Sequence, residues 1–157
     1  MRQLAATFKE FWSGFVDTKG RLAVTGAAAR PPNAPIPAFQ EGYARVPTDD
    51  TGTLDPPDYP LIVYPVVRPD FAKNALIQAT VRDRTPANVG NMDLIYDVLG
   101  QVEKRIPHEG VILRLDDGSG AVWLQRGSPF FIFPPGHPRD KTIVRGVVNL
   151  VCRGYIA

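Results

Sequence analysis

The sequence predicts an α+β fold: a mostly antiparallel sheet of about five strands, with one long helix and an N-terminal helix packed on it, plus a long Pro-rich arm. Three observations lead there. Apolar residues recur at helical spacing in two stretches, alternate with polar ones in several others that short turns connect, and give way to proline between residues 25 and 60. At 157 residues the chain is about one domain long. It divides into an N-terminal amphipathic helix (1–24), the Pro-rich arm (25–60) and an α+β core (61–157).

The first helix is read from Leu4, Phe8, Phe11, Trp12, Phe15 and Val16, which fall three and four residues apart on one face. Gly14 and the cluster from Asp17 to Arg21 predict that it stops near residues 16–20. Its adjacent aromatic rings need a surface to dock on. The arm follows, holding eight of the sixteen prolines. Proline fixes φ and removes an amide donor, so neither a regular helix nor an interior strand is expected there. Ile36, Phe39, Tyr43, Val46 and Leu54 are apolar side chains that a solvated linker does not need, and they suggest an arm lying on another surface, such as a neighbouring subunit.

The core opens with LIVYPVV (61–67), a strand that Pro65 assigns to an edge or a bulge. In 74–84, Ala75, Ile77, Ala79 and Val81 alternate with Asn74, Gln78, Thr80 and Arg82, the pattern of a strand covered on one side; Leu76 breaks it. The long helix is expected over 86–106, with Thr85 as N-cap, Pro86 in its first turn, and Met92, Ile95, Leu99, Val102 and Ile106 along one face. Lys104 and Arg105 complement its C-terminal dipole, and Pro107 ends it. Strands are then expected at Val111–Leu115, Ala121–Phe133 and Thr142–Arg153, the first two joined by the turn DDGSG. Ser128 and Pro129 should bend the second. In the last, Val144, Gly146, Val148, Leu150 and Cys152 mark the core face, and Arg145, Asn149 and Arg153 the other. The run from Pro129 to Phe133 is expected to bury alternate aromatics before a rim loop, Pro134 to Asp140.

Composition narrows the function. The net charge of +2, with six basic and seven acidic residues before position 60 and twelve and nine after it, is too small to make a polyanion the main partner. The single Cys152 cannot form an internal disulfide, and MRQLAATFKEFWSGFV is interrupted by Lys9 and Glu10, so a soluble, unprocessed protein in a reducing cytoplasm is expected, with no membrane partner.

No catalytic, cofactor or metal site is expected. His108 and His137 lie far apart, and neither a paired cysteine nor a calcium-type acidic loop is present. His137 with Asp140 would suit a general base and its orienting carboxylate, but reads better as a solvated turn. Cys152 reads as a buried thiol. Gly118-Ser119-Gly120 joins two strands, whereas a phosphate loop needs a strand-to-helix turn. Arg82, Arg84, Arg114, Arg126, Arg145 and Arg153 fall on or beside strands, where they suit a protein interface or, with Trp123 and Phe131 as platforms, single-stranded nucleic acid.

The order of these elements resembles the tail terminator, or tail-completion, proteins found at the neck of long-tailed bacteriophages. The likeness is carried by FKEFWSGF, the Pro-rich segment leading into PDYPLIVYPVV, then IQATVRDRTPANVGNMDLIYDVLGQVEKRI, VILRLDDGSGAVWLQRGSPFF and VRGVVNLVCRGYI. It implies a non-enzymatic α+β virion protein, assembled in the host cytoplasm, whose copies form a ring, a hexamer, capping the tail tube. Its partners would be itself, the tail-tube protein and the head-completion or connector protein, with DNA passing through the ring without specific binding. A head-closure or stopper role in the same neck is the neighbouring alternative, and a sheet-based nucleic-acid-binding protein the one from another class. The expected interface residues are Phe39, Tyr43, Gly136, His137, Arg139, Asp140, Arg145 and Arg153.

Overall fold

A computed structural model describes residues 2–23, 29–41, 59–70, 73–85, 91–135 and 141–156. Among them the order is α1 (Arg2–Trp12), β1 (Val16–Asp17), β2 (Ala34–Pro35), β3 (Ala38–Gln40), β4 (Leu61–Tyr64), β5 (Asn74–Arg84), α2 (Asp93–Arg105), β6 (Val111–Arg114), β7 (Gly120–Ile132) and β8 (Ile143–Ile156). Six strands form one sheet in the order β3, β4, β5, β8, β7, β6, while β1 and β2 pair separately. The expectation of about five antiparallel strands under one long helix is therefore corrected. The sheet has six strands and is mixed, because β3 runs parallel to β4, and the helices have 11 and 13 residues.

The sixth strand comes from the Pro-rich segment. Proline lacks an amide donor but keeps its carbonyl: Pro37 accepts the Ile62 amide at 2.8 Å, and beyond the strand Glu41 donates to the Tyr64 carbonyl at 2.7 Å. Prolines at the start of an edge strand cost no ladder bond. β4 consequently lies inside the sheet between β3 and β5, ending at Tyr64 before Pro65, and not at an edge as expected.

Both helices are shorter than expected. α1 ends at Trp12 because the chain turns at Gly14 and then pairs as β1, and Phe15 reaches the core from that turn. The Gln101 side-chain amide of α2 acts as a neighbouring strand for this ribbon, accepting from the Val16 amide at 3.2 Å and donating to its carbonyl at 2.8 Å. α2 starts at Asp93, whose amide donates to the Asn91 side chain at 2.9 Å. Thr85, expected as the cap, instead closes the β5–β8 ladder through its amide on the Thr142 carbonyl at 2.7 Å, while Pro86 lies outside the described residues.

The core lies between the helices and one face of the sheet. β5 and β8 pair over eleven positions, from Asn74 opposite Arg153 to Arg84 opposite Ile143. This register places Ile77, Ala79 and Val81 on the same face as Val148, Leu150 and Cys152, where Ile95, Val98, Leu99 and Val102 of α2 cover them. Burial of each large aliphatic side chain contributes roughly 1.5–3 kcal/mol. Phe8, Trp12 and Phe15 complete the core, and the Trp12 ring stacks on Tyr64 at 6.3 Å. Gly146 lets α2 approach β8: a Cβ there would lie 2.7 Å from the Ile95 Cγ2 methyl.

Candidate interaction surfaces

Strand parity builds two surfaces from one ladder. On the face of β5 and β8 turned away from the helices, the cross-strand pairs are Arg82 with Arg145, Thr80 with Val147, Gln78 with Asn149, Leu76 with Val151 and Asn74 with Arg153. Trp123 of β7 lies opposite Arg153 and Ile112 of β6, and Arg114 opposite Ala121 extends the same face. Its centre is polar and ordered: Gln78 donates to Asn149 at 2.8 Å, and Asn149 donates to the Pro129 carbonyl at 3.0 Å. A groove of about 570 Å³ runs here between Glu41, Leu76, Gln78, Thr80, Gly127 and Asn149. Leu76, the exception in its strand, is 83% exposed.

The arginines of this face are held against it. The Nε–H groups of Arg82, Arg145 and Arg153 are buried and find no acceptor among the described residues, and Arg84 lies over the Tyr59 ring at 5.0 Å. Burial lowers the proton affinity of Arg82 from its ordinary value; Tyr59 opposes that effect, Arg145 adds to it and Glu41 opposes it. One end of the face is closed by a small second cluster in which Tyr59, Leu61, Val63 and Ile143 are buried with Phe39 against them. Phe39, expected at an interface, thus packs on its own chain.

The second surface is apolar. Tyr96 of α2 and Phe133, just beyond β7, meet edge to face at 5.5 Å and are 56% and 47% exposed, whereas Ile132, 38% exposed, pairs with Val147 and so turns to the arginine-bearing face. The expected burial of alternate aromatics in 129–133 does not occur. The register of β7 slips between Arg126 and Phe131, leaving Phe130 and Phe131 half-buried and stacked on each other at 4.1 Å and Ile132 and Phe133 outside.

Arg126, Arg21 and Asp83 have structural roles. Arg126 points to the helix side and donates to the carbonyls of Ile106 at 2.6 Å and Glu103 at 2.9 Å, capping the C-terminus of α2. Asp83, only 2% exposed, accepts from Arg21 at 2.6 Å and from the Arg84 amide at 2.8 Å. Burial pushes its carboxyl up, and Arg21 with that amide draws it back only in part. Cys152 is buried and its thiol is pushed up to about 11, so it stays protonated and unreactive near neutrality. Among the described residues, no three His, Cys, Asp or Glu side chains gather to hold a metal, and no helix is long and apolar enough to cross a membrane.

Of the expected interface residues, Arg145 and Arg153 lie on the arginine-bearing face, about 26 Å apart along β8 at 3.3 Å per residue. Tyr43, Gly136, His137, Arg139 and Asp140 lie outside the described residues, and with them the His137–Asp140 pair. Sequence reasoning missed the ring pair of Tyr96 and Phe133, because Tyr96 belongs to the polar side of a helical pattern. It also missed the Arg21–Asp83 pair, although an acid in phase with Ile77, Ala79 and Val81 was a readable signal; of the exposed apolar residues, Ile132 turns to the arginine-bearing face and only Tyr96 and Phe133 meet. In comparisons with known proteins, no family model, no curated protein and no solved structure matches this chain.

Proposed function

We propose that the chain is a structural subunit of a tailed-phage neck, a tail terminator whose copies close into a ring that caps the tail tube and joins it to the head connector. The observation that carries this reading is the exposed apolar ring pair of Tyr96 and Phe133. Its two rings are contributed by different elements, α2 and the end of β7, so the patch is a preformed surface and not a single stray side chain. Contiguous exposed apolar surface marks association sites. The ring pair lies on the helix side of the sheet, away from the arginine-bearing face, so it can meet a different patch of the next copy, as in a head-to-tail contact that closes by rotation. DNA passes such a ring without sequence-specific binding.

Native mass spectrometry tests the reading. The wild-type chain is expected as a closed oligomer of about six copies. Phe133→Glu with Tyr96→Glu should release monomers whose far-ultraviolet circular dichroism is unchanged, because neither ring belongs to the core. A wild-type chain that stays monomeric at all concentrations refutes the ring.

A further inference from the structure

The cations of the sheet are segregated by sign, face and type. β5 and β8 carry five charged arginine and aspartate residues, and their four arginines, Arg82, Arg84, Arg145 and Arg153, share the face turned away from the helices, while Asp83 faces the core. Arg114 of β6 joins the arginine face by register. Every cation in β5, β6, β7 and β8 is arginine and none is lysine. The guanidinium fork matches phosphate oxygens in a way the lysine ammonium does not.

Arg82 and Arg145 stand directly opposite each other in adjacent strands. Like charges in that position destabilise a sheet. Neither makes an ion pair among the described residues: Arg145 donates to the Pro135 carbonyl at 3.4 Å, the Glu41 charge offsets the burial of Arg82 only in part, and a side chain half withdrawn from water keeps only part of the solvent shell that disperses its charge. An arrangement that costs the isolated chain stability is explained by an anion that arrives from outside. Arg153, with Trp123 opposite it, repeats the cationic character at the far end, and Gln78, Thr80 and Asn149 supply neutral hydrogen-bonding groups between. The separation of about 26 Å matches seven or eight steps of a nucleic-acid duplex at 3.4 Å each.

We propose that this face of the sheet, through Arg82, Arg145, Arg153 and Arg114, binds the phosphate backbone of DNA without reading its bases. The proposal rests on the ring reading for its setting, in which this face is the wall that meets the DNA. Charge complementarity alone would also admit an acidic protein segment. The all-arginine composition and the neighbouring Trp123, on which a base or sugar can pack, favour the nucleic acid.

The experiment is fluorescence anisotropy of a short labelled DNA duplex with the full chain across a salt series, in parallel with native mass spectrometry. Wild type should bind duplexes of unrelated sequence equally and weaken steeply with salt. Arg82→Gln with Arg145→Gln should lower affinity at least about tenfold and reduce the log–log salt slope by about 1.8, two phosphate contacts at about 0.9 each. The same variant should melt at or above the wild-type temperature, since it relieves the cross-strand repulsion; a merely structural pair would melt lower. Lys104→Gln, an exposed charge on α2, should leave the slope unchanged. A ring that does not bind DNA, or that binds polyglutamate and not DNA, overturns the proposal while the ring reading stands. A monomer whose DNA binding is lost in the double arginine variant overturns the ring and upholds the face. An equal loss of slope in Lys104→Gln shows diffuse electrostatics and overturns the face.

Discussion

The two faces of β5 and β8 are built by the same residues of chain taken alternately, yet they obey different rules. On the helix side, Ile77, Ala79, Val81, Val148, Leu150 and Cys152 are closed off from water by α1 and α2. On the other side, Arg82 opposes Arg145, Gln78 opposes Asn149, and Leu76 stands in solvent. The first face is chosen for folding; the second contains an arrangement that folding alone disfavours. A departure of this kind from what stability favours is what a surface kept for another purpose would show, and the DNA-binding test above reads that purpose directly.

The contrast predicts unequal responses to substitution. Trp12→Ala, which empties the junction between α1 and the Tyr64 ring, should cost about 4 kcal/mol, read as a shift in the urea midpoint. Asp83→Ala comes next. It strands Arg21 and the Arg84 amide and should cost about 3 kcal/mol. Asp83→Asn keeps an acceptor for that amide and should cost much less at neutral pH. The sign with pH follows from the raised carboxyl: its stabilising contribution is complete below the ordinary value of 3.8 and is lost as pH rises through the folded-state value. Wild type should therefore gain stability relative to Asp83→Asn as pH falls from 7 toward 4, seen as a widening gap between their melting temperatures. Gly146→Ala should cost about 1–2 kcal/mol, because the new methyl meets Ile95 and must push α2 outward. Leu76→Gln, on the other face, should stay within about 0.5 kcal/mol; a larger loss would show that this face is also packed for stability.

Much of this frame was legible in the sequence. The alternation in β5 and β8, the apolar stripe of α2 and the hairpin at Asp116–Gly120 depend on local periodicity and turn chemistry, and each lies where the residues predict. In the hairpin the Leu115 amide donates to Gly120 at 2.9 Å, with Gly118 at φ +72°. What was not legible depends on partners distant in sequence. β3 hides in a Pro-rich stretch because its pairing uses the Pro37 carbonyl, which composition does not reveal. The helix ends were overextended because Phe15 and Thr85 suit a helix locally but are engaged by the core and by Thr142. Of the surfaces, the outward arginines were readable one by one from strand parity. The opposition of Arg82 and Arg145 was not, since it follows from a register set over eleven pairs.

The slip in β7 between Arg126 and Phe131 separates two tasks within a single strand. Before it, Arg126 ties the ladder to the end of α2; after it, Ile132 and Phe133 stand exposed to solvent. Five steps along β7 span what two span along β8, from Arg126 opposite Leu150 to Phe131 opposite Val148, so three residues of slack stand between the two halves of the ladder. A change of length within that slack can be taken up without moving the pairs on either side, so the first half of the strand and its outer end are free to vary independently.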